Sequence, residues 1–227
     1  MRLEDLIESY RRQSMDQKSS VRGNDGDVFC KDEEVVWYLN EGVQEACERA
    51  DLIQDRTSPF CTILLVPGQD TYRLHRSVYE VKRLTLRGRP LDETSVEELD
   101  CDSPGWECRS GLPRCYVFEQ AGGSLPAAVR LVPTPSAAET IKLTVYRGAQ
   151  SLLCNDMDQP EIASRLHIHL VDWALYRAYS REDTDMYNDA KAGVALERFE
   201  KVFGKRPDAN VQRKQRDRRP PLVHSNW

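Results

Sequence analysis

The sequence predicts an α+β chain: a helical bundle with an inserted antiparallel β module and an extended C-terminal arm. Three observations predict it. Apolar residues recur at helical spacing near both ends, over 32–55 and 158–204. Between 60 and 148 that period is lost, and short extended segments follow closely with no helix between most of them. That pattern favours an antiparallel sheet or small sandwich over βαβ units. After Gly204 the composition turns basic. The predicted division is 1–58 with 151–204 as the bundle, 59–150 as the β module and 205–227 as the arm.

Residues 1–13 read as a short helix with Leu3, Leu6, Ile7 and Tyr10 on one side. Residues 14–27 are mostly polar and contain Gly23, Asn24, Asp25, Gly26 and Asp27, which predicts a mobile loop. The clearest helix covers 32–55, where Val36, Leu39, Val43, Ala46, Ala50 and Ile53 alternate steps of three and four. Asp32, Glu33 and Glu34 open it, where the helix dipole favours negative charge.

The β module begins with the apolar run Ile63 to Val66, a turn at Pro67-Gly68-Gln69-Asp70, and Tyr72-Arg73-Leu74. Val78, Val81, Leu84 and Leu86 mark the next extended segment, closed by Gly88-Arg89-Pro90. Their alternation slips phase between 81 and 84, the signature of a β-bulge. Residues 91–113 read as irregular. Three strands follow, at Cys115–Glu119, Ala128–Val132 and Thr140–Tyr146.

Two amphipathic helices fill 158–204. Asp158 is a candidate N-cap, with Glu161 at capping-box spacing and Pro160 in the first turn. Ile162, Leu166, Leu170, Trp173 and Ala174 form an apolar face, and a polar break at 180–185 ends it. Ala192, Ala195, Leu196, Phe199, Val202 and Phe203 line the second helix, Gly204 follows it and Pro207 forbids continuation.

Composition excludes several classes. With 40% apolar and 30% charged residues the chain can bury a core and stay soluble, and no apolar run approaches the roughly 20 residues a membrane span needs. The first residues lack the basic-then-apolar pattern of a signal peptide. The seven cysteines are scattered, and the even spacing of Cys101, Cys108 and Cys115 is too wide for a zinc knuckle, so they read as free thiols. His167 and His169 lie two apart, on different sides of a helix. Asn155, Asp156 and Asp158 lack the Gly and distal Glu of a calcium loop and read as helix capping. There is no Gly-rich phosphate loop, no metalloprotease motif and no nucleophile elbow. No catalytic residue, metal or cofactor is predicted.

Charge is the functional signal that is left. The net charge is −5, yet residues 205–227 carry seven basic and two acidic side chains, leaving the body ten charges negative. The arm's candidate docking residues are Lys205, Arg206, Arg213, Lys214, Arg216, Arg218 and Arg219, then the apolar Pro220, Pro221, Leu222 and Val223, and finally Trp227. A basic spacer followed by an apolar anchor suits docking on a protein more than gripping DNA. The rival readings are a nucleic-acid-binding regulatory protein using that tail, and an enzyme with a site on the β module, which no motif supports.

The chain resembles the head-to-tail adaptor (connector) proteins of tailed bacteriophages. The resemblance rests on Leu3, Leu6 and Tyr10, on Trp37-Tyr38-Leu39-Asn40-Glu41 and Glu45-Ala46-Cys47, on Pro104-Gly105-Trp106, on Leu131-Val132-Pro133-Thr134-Pro135, and on Phe199 with Phe203-Gly204. It implies a structural virion protein at the head–tail interface, assembled in the host cytoplasm. It implies a ring of copies of the chain, usually twelvefold, beneath the portal protein. DNA would pass through its channel without specific binding, and a tail or nozzle protein would attach to it. The C-terminal arm would reach the portal.

Overall fold

A computed structural model describes residues 1–16, 28–120, 122, 125–182 and 186–206. It is a mixed α+β fold with five α-helices among the described residues and an eight-stranded sheet. The expected bundle with a small β insert is therefore corrected. The sheet encloses a core of its own, built from Leu65, Tyr72, Leu84, Val129, Leu131, Ile141 and Leu143 among others. A separate core unites the helices.

Helix α1 (Leu3–Ser14) is held at its start by the chain downstream. The Leu3 amide donates to Asp158 O at 2.8 Å and the Glu4 amide to Asp156 O at 3.2 Å, giving partners to amides that a helix start leaves open. Residues 155–158 thus cap α1 from outside. The expectation that Asp158 begins a helix is overturned: its carboxylate accepts the Cys154 and Asn155 amides, both at 2.8 Å, and closes a turn. The chain runs instead through a 3-10 helix at Ser164–His169 into α4 (Leu170–Tyr179).

Helix α2 (Asp32–Ala50) starts where its acidic first turn predicts. It stops five residues early, because Asp51 takes a left-handed φ of 48° and Ile53–Asp55 becomes strand β1. Of the predicted loop, 17–27 lies outside the described residues. Its flanks are anchored: buried Arg11 pairs with Asp16 at 2.6 Å and Asp32 at 2.6 Å, and Asp16 accepts the Phe29 and Cys30 amides. Helix α5 (Asp189–Phe203) is capped by Asn188, whose side chain accepts the Lys191 amide at 2.9 Å, and ends at Gly204 with φ 85°.

The sheet contains β2 (Thr62–Leu64), β3 (Thr71–Arg73), β4 (Val78–Leu86), β5 (Arg89–Thr94), β7 (Cys115–Glu119), β8 (Ala128–Val132) and β10 (Thr140–Arg147). Its order is β1-β10-β4-β5-β7-β8-β3, with β2 also on β10. A second small sheet pairs β6 (Ser110–Gly111) with β9 (Thr134–Pro135) in parallel. The expected bulge is present: Thr144 opposes Arg83 and Val145 opposes Val81, so Lys82 is the extra residue.

The sheet is not purely antiparallel. Strands β5 and β7 run parallel, which requires a crossover, and α3 (Val96–Asp102) lies within it. Helix α3 and most of β5 fall in the stretch 91–113 expected to be irregular, and β5 begins in the expected turn at Arg89. Helix α3 is capped by Ser95, which accepts the Glu98 amide at 3.2 Å, and it packs Leu99 with Trp106, Val117 and Val132. Among the described residues no helix is long and apolar enough to cross a membrane.

Candidate functional site

The described part of the arm leaves from an anchored root. Helix α5 packs on α4 through Phe199, whose ring centroid lies 5.0 Å from Trp173 and 4.6 Å from Phe203. Trp173 reaches α2 because residue 42 is glycine; a Cβ there would sit 3.1 Å from Trp173 Cβ. The guanidinium of Arg49, near the end of α2, lies 5.3 Å from both the Trp173 and Phe199 rings. Such a cation between aromatic faces is stabilised by both π-systems.

Arg49 then ties down the end of α5. Its Nε donates to Glu45 Oε2 at 3.0 Å, and its Nη1 donates to the Gly204 carbonyl at 3.4 Å and lies 3.7 Å from Glu200 Oε1. Glu45 is shared: its other oxygen lies 3.3 Å from Arg206 Nη1, and Arg206 Nη2 lies 3.8 Å from Glu48. Burial pushes the Glu48 carboxyl above its ordinary range, as does neighbouring Glu45, with Arg206 and Arg49 opposing. The first arginine of the arm thus lies back on α2. Lys205 is exposed. Arg213, Lys214, Arg216, Arg218, Arg219, Pro220, Pro221, Leu222, Val223 and Trp227 lie outside the described residues.

The body's charge follows the fold. Residues 53–148 hold twelve basic and twelve acidic side chains, whereas 1–52 and 149–204 together hold 13 basic and 23 acidic ones. All of the negative excess therefore sits in the helical half, the half from which the basic arm departs.

A comparison with known families bears on both halves and on the tail. The SU10 adaptor protein model matches residues 1–224. The chain belongs to the SU10 adaptor protein family. The match spans both halves and nearly all of the basic tail, so the resemblance to phage adaptors holds at the level of the family. A comparison with curated proteins found no match.

In this SU10-family adaptor His167, one of the groups weighed for chemistry, has structural partners. His167 is buried; its Nε2 donates to Ile162 O at 2.9 Å, and its Nδ1 lies 2.9 Å from the Met1 amine. Among the described residues, no three His, Cys, Asp or Glu side chains are grouped to hold a metal ion. Two buried arginines carry structural weight that composition does not reveal. Arg49 has a sequence signal, Glu45 four residues before it on one helix face. Arg147 has none; its partners Asp55 and Glu161 are distant in sequence and meet only in the fold.

Proposed function

We propose that this SU10-family adaptor is the head-to-tail connector of its virion. It assembles as a ring, twelvefold by the resemblance, beneath the portal protein, extends the DNA channel, and offers its far face to a tail or nozzle protein. In this reading 1–58 and 151–204 are the helical part of the ring subunit, 59–150 is its β module, and 205–227 is the portal-docking arm. DNA passes without specific binding, since a helical half with a large acidic excess disfavours adhesion of phosphates.

The observation that carries the reading is a family match that continues through the basic tail. The anchored root supports it: an arm that bears load must leave from a fixed point, and Arg49, Glu45 and Arg206 fix that point on α2. Electron microscopy of particles lacking the protein, before and after the full chain is added, tests the proposal. The expected result is a new ring of density at the portal vertex. Particles unchanged by the addition would refute it.

A further inference from the structure

The outer face of the sheet carries a basic groove of about 500 Å³, lined at one end by Gln54, Arg56, Lys82, Arg83 and Thr144. Its cations are assembled by the register. Arg83 pairs across β4 and β10 with Thr144, and directly opposed residues point to one face. On the other side of β10, Asp55 pairs with Val145, so Arg56 follows on the outward side. Two arginines, one on β4 and one just past the end of β1, thus line the groove together with Thr144.

The bulge adds a third cation. In a regular strand Lys82 and Arg83 would point to opposite faces. Here Lys82 is the inserted residue, and both are exposed. Bulges recur where a strand re-aims a side chain for a purpose. Lys82 is steadied by Gln54 Oε1 at 2.7 Å and lies 5.2 Å over the Tyr146 ring. Arg56, Lys82 and Arg83 form no ion pair among the described residues. Asp92 and Glu93 line the opposite end; Glu93 meets the Tyr116 hydroxyl at 3.3 Å.

We infer that this groove is a contact between copies of the chain, in which Arg56, Lys82 and Arg83 receive carboxylates from the helical half of a neighbouring copy. The charge distribution selects that occupant. The helical half holds ten more acidic than basic residues, and the sheet half is balanced, so its unpaired cations have a complement on every other copy. The acidic end of the groove opposes a continuous polyanion such as DNA, whereas a protein surface can offer both signs. A closed ring needs two different patches of one chain to meet, and an acidic half with a basic groove supplies such a pair. The inference rests on the ring proposed above.

The test uses full-length chain, half of it labelled with nitrogen-15, added to particles that lack it. A carbodiimide then couples lysine amines to carboxylates in contact. Links from Lys82 to Asp or Glu of residues 1–52 or 149–204 across the two isotopes are expected. They should be lost in the R56E/R83E double variant, whose exposed positions leave folding intact. Cross-isotope links that never include Lys82 would overturn the groove contact while leaving the ring standing. Absence of all cross-isotope links on decorated particles would overturn both. Retention of a short DNA duplex at physiological salt by the wild type, lost in R56E/R83E, would assign the groove to phosphates and overturn the contact between copies.

Discussion

Arg147 and Asp55 meet at 2.7 Å and pin the last strand of the sheet to β1, the strand that continues from α2. Arg147 also reaches Glu161 at 2.5 Å and the Gly148 carbonyl at 3.1 Å, so it stitches the sheet to the segment entering the last two helices. Asp55 is satisfied on every side: the Ser58 hydroxyl donates at 2.6 Å and the Thr57 and Ser58 amides at 2.9 and 3.1 Å. A buried charge held this fully is costly to leave without its partner.

Arg147→Met should therefore destabilise the protein by about 3 kcal/mol, at the lower end of the cost of breaking a buried pair because Asp55 keeps its other donors. Burial alone would raise the Asp55 pKa, but the Ser58 hydroxyl, the Thr57 amide and Arg147 outweigh it and hold the carboxyl far below its ordinary value. Glu161 is lowered too, first by its hydrogen bond to Arg147, against burial. Carboxyls depressed in the folded state contribute stability above their unfolded values, near 4, and lose it as pH falls through the folded ones. Urea titrations from neutral pH down to about 3 should show a steep loss in the wild type and a shallower one in Arg147→Met.

Gly42→Ala should cost about 1 kcal/mol despite the better helix propensity of alanine. Propensity favours the change by roughly 1 kcal/mol, but the new methyl would sit 3.1 Å from Trp173. Trp173 has little room to yield, since its indole N–H donates to Glu41 at 3.2 Å and its ring packs on Phe199 and Arg49. Overpacking costs about 1–3 kcal/mol, so the clash wins. A gain in the denaturation midpoint would show that the α2–α4 contact is looser than this.

Thiol reactivity should divide sharply. Cys101, Cys108 and Cys154 are exposed, whereas Cys30, Cys47 and Cys61 are buried. Burial pushes the three buried thiols up, Cys47 to about 12, which removes the reactive thiolate. A colorimetric thiol reagent should titrate the three exposed cysteines promptly in native protein and the buried three only on unfolding. Prompt reaction at Cys47 would mean that the helical core opens readily.

What the sequence reveals depends on whether an element is amphipathic by itself. The register of β4 shows its bulge because Val78, Val81, Leu84 and Leu86 all face the core. Helix α5 is legible to its last residue because Gly204 needs its left-handed φ. Strand β5 is not, since Arg89, Pro90 and Asp92 give it no apolar alternation and its partners come from both directions in the chain. Helix α3 buries only Leu99, so no face repeats; its Ser95–Glu98 cap was the available signal. Asp158 and Glu161 match a capping box in spacing, but one closes a turn and the other pairs with Arg147. Local chemistry cannot disclose a partner supplied by a distant strand. At the arm root, the basic composition points to Arg206, while Arg49 behind it emerges only from packing.

Glu45→Gln should weaken the root more than removal of Arg206. Both Glu45 oxygens are engaged, one by buried Arg49 and one by exposed Arg206. The amide keeps one acceptor and leaves a buried guanidinium under-satisfied, a loss of about 1–3 kcal/mol. Arg206→Ala removes a solvent-screened pair and should cost less than about 1 kcal/mol. Thermal melts of the two variants at low and high salt check the order; equal losses would place the anchoring energy in the arm and not in Arg49.

Deletion of residues 205–227 should leave the body folded and abolish docking to the portal. The body needs little from the tail, since α5 ends at Gly204 with its amide bonded to Glu200 O at 2.8 Å and its helical core is complete at Phe203. Docking is different. Ordering an arm of this length costs roughly 1–2 kcal/mol per residue in backbone entropy. Burying Trp227, at most about 250 Å², contributes only about 6 kcal/mol at roughly 25 cal/mol per Å². In the proposed docking one anchor cannot offset that cost, so the arm would also pair its backbone, by adding a strand to the portal, set its Arg and Lys on acidic groups, and gain avidity from the proposed ring. Trp227→Ala should then weaken attachment less than full deletion, and added salt should weaken it further. The measurement is completion of tailless heads by each variant, with circular dichroism confirming an unchanged body. If the truncated chain completes heads as well as the full chain, the arm is not the docking element.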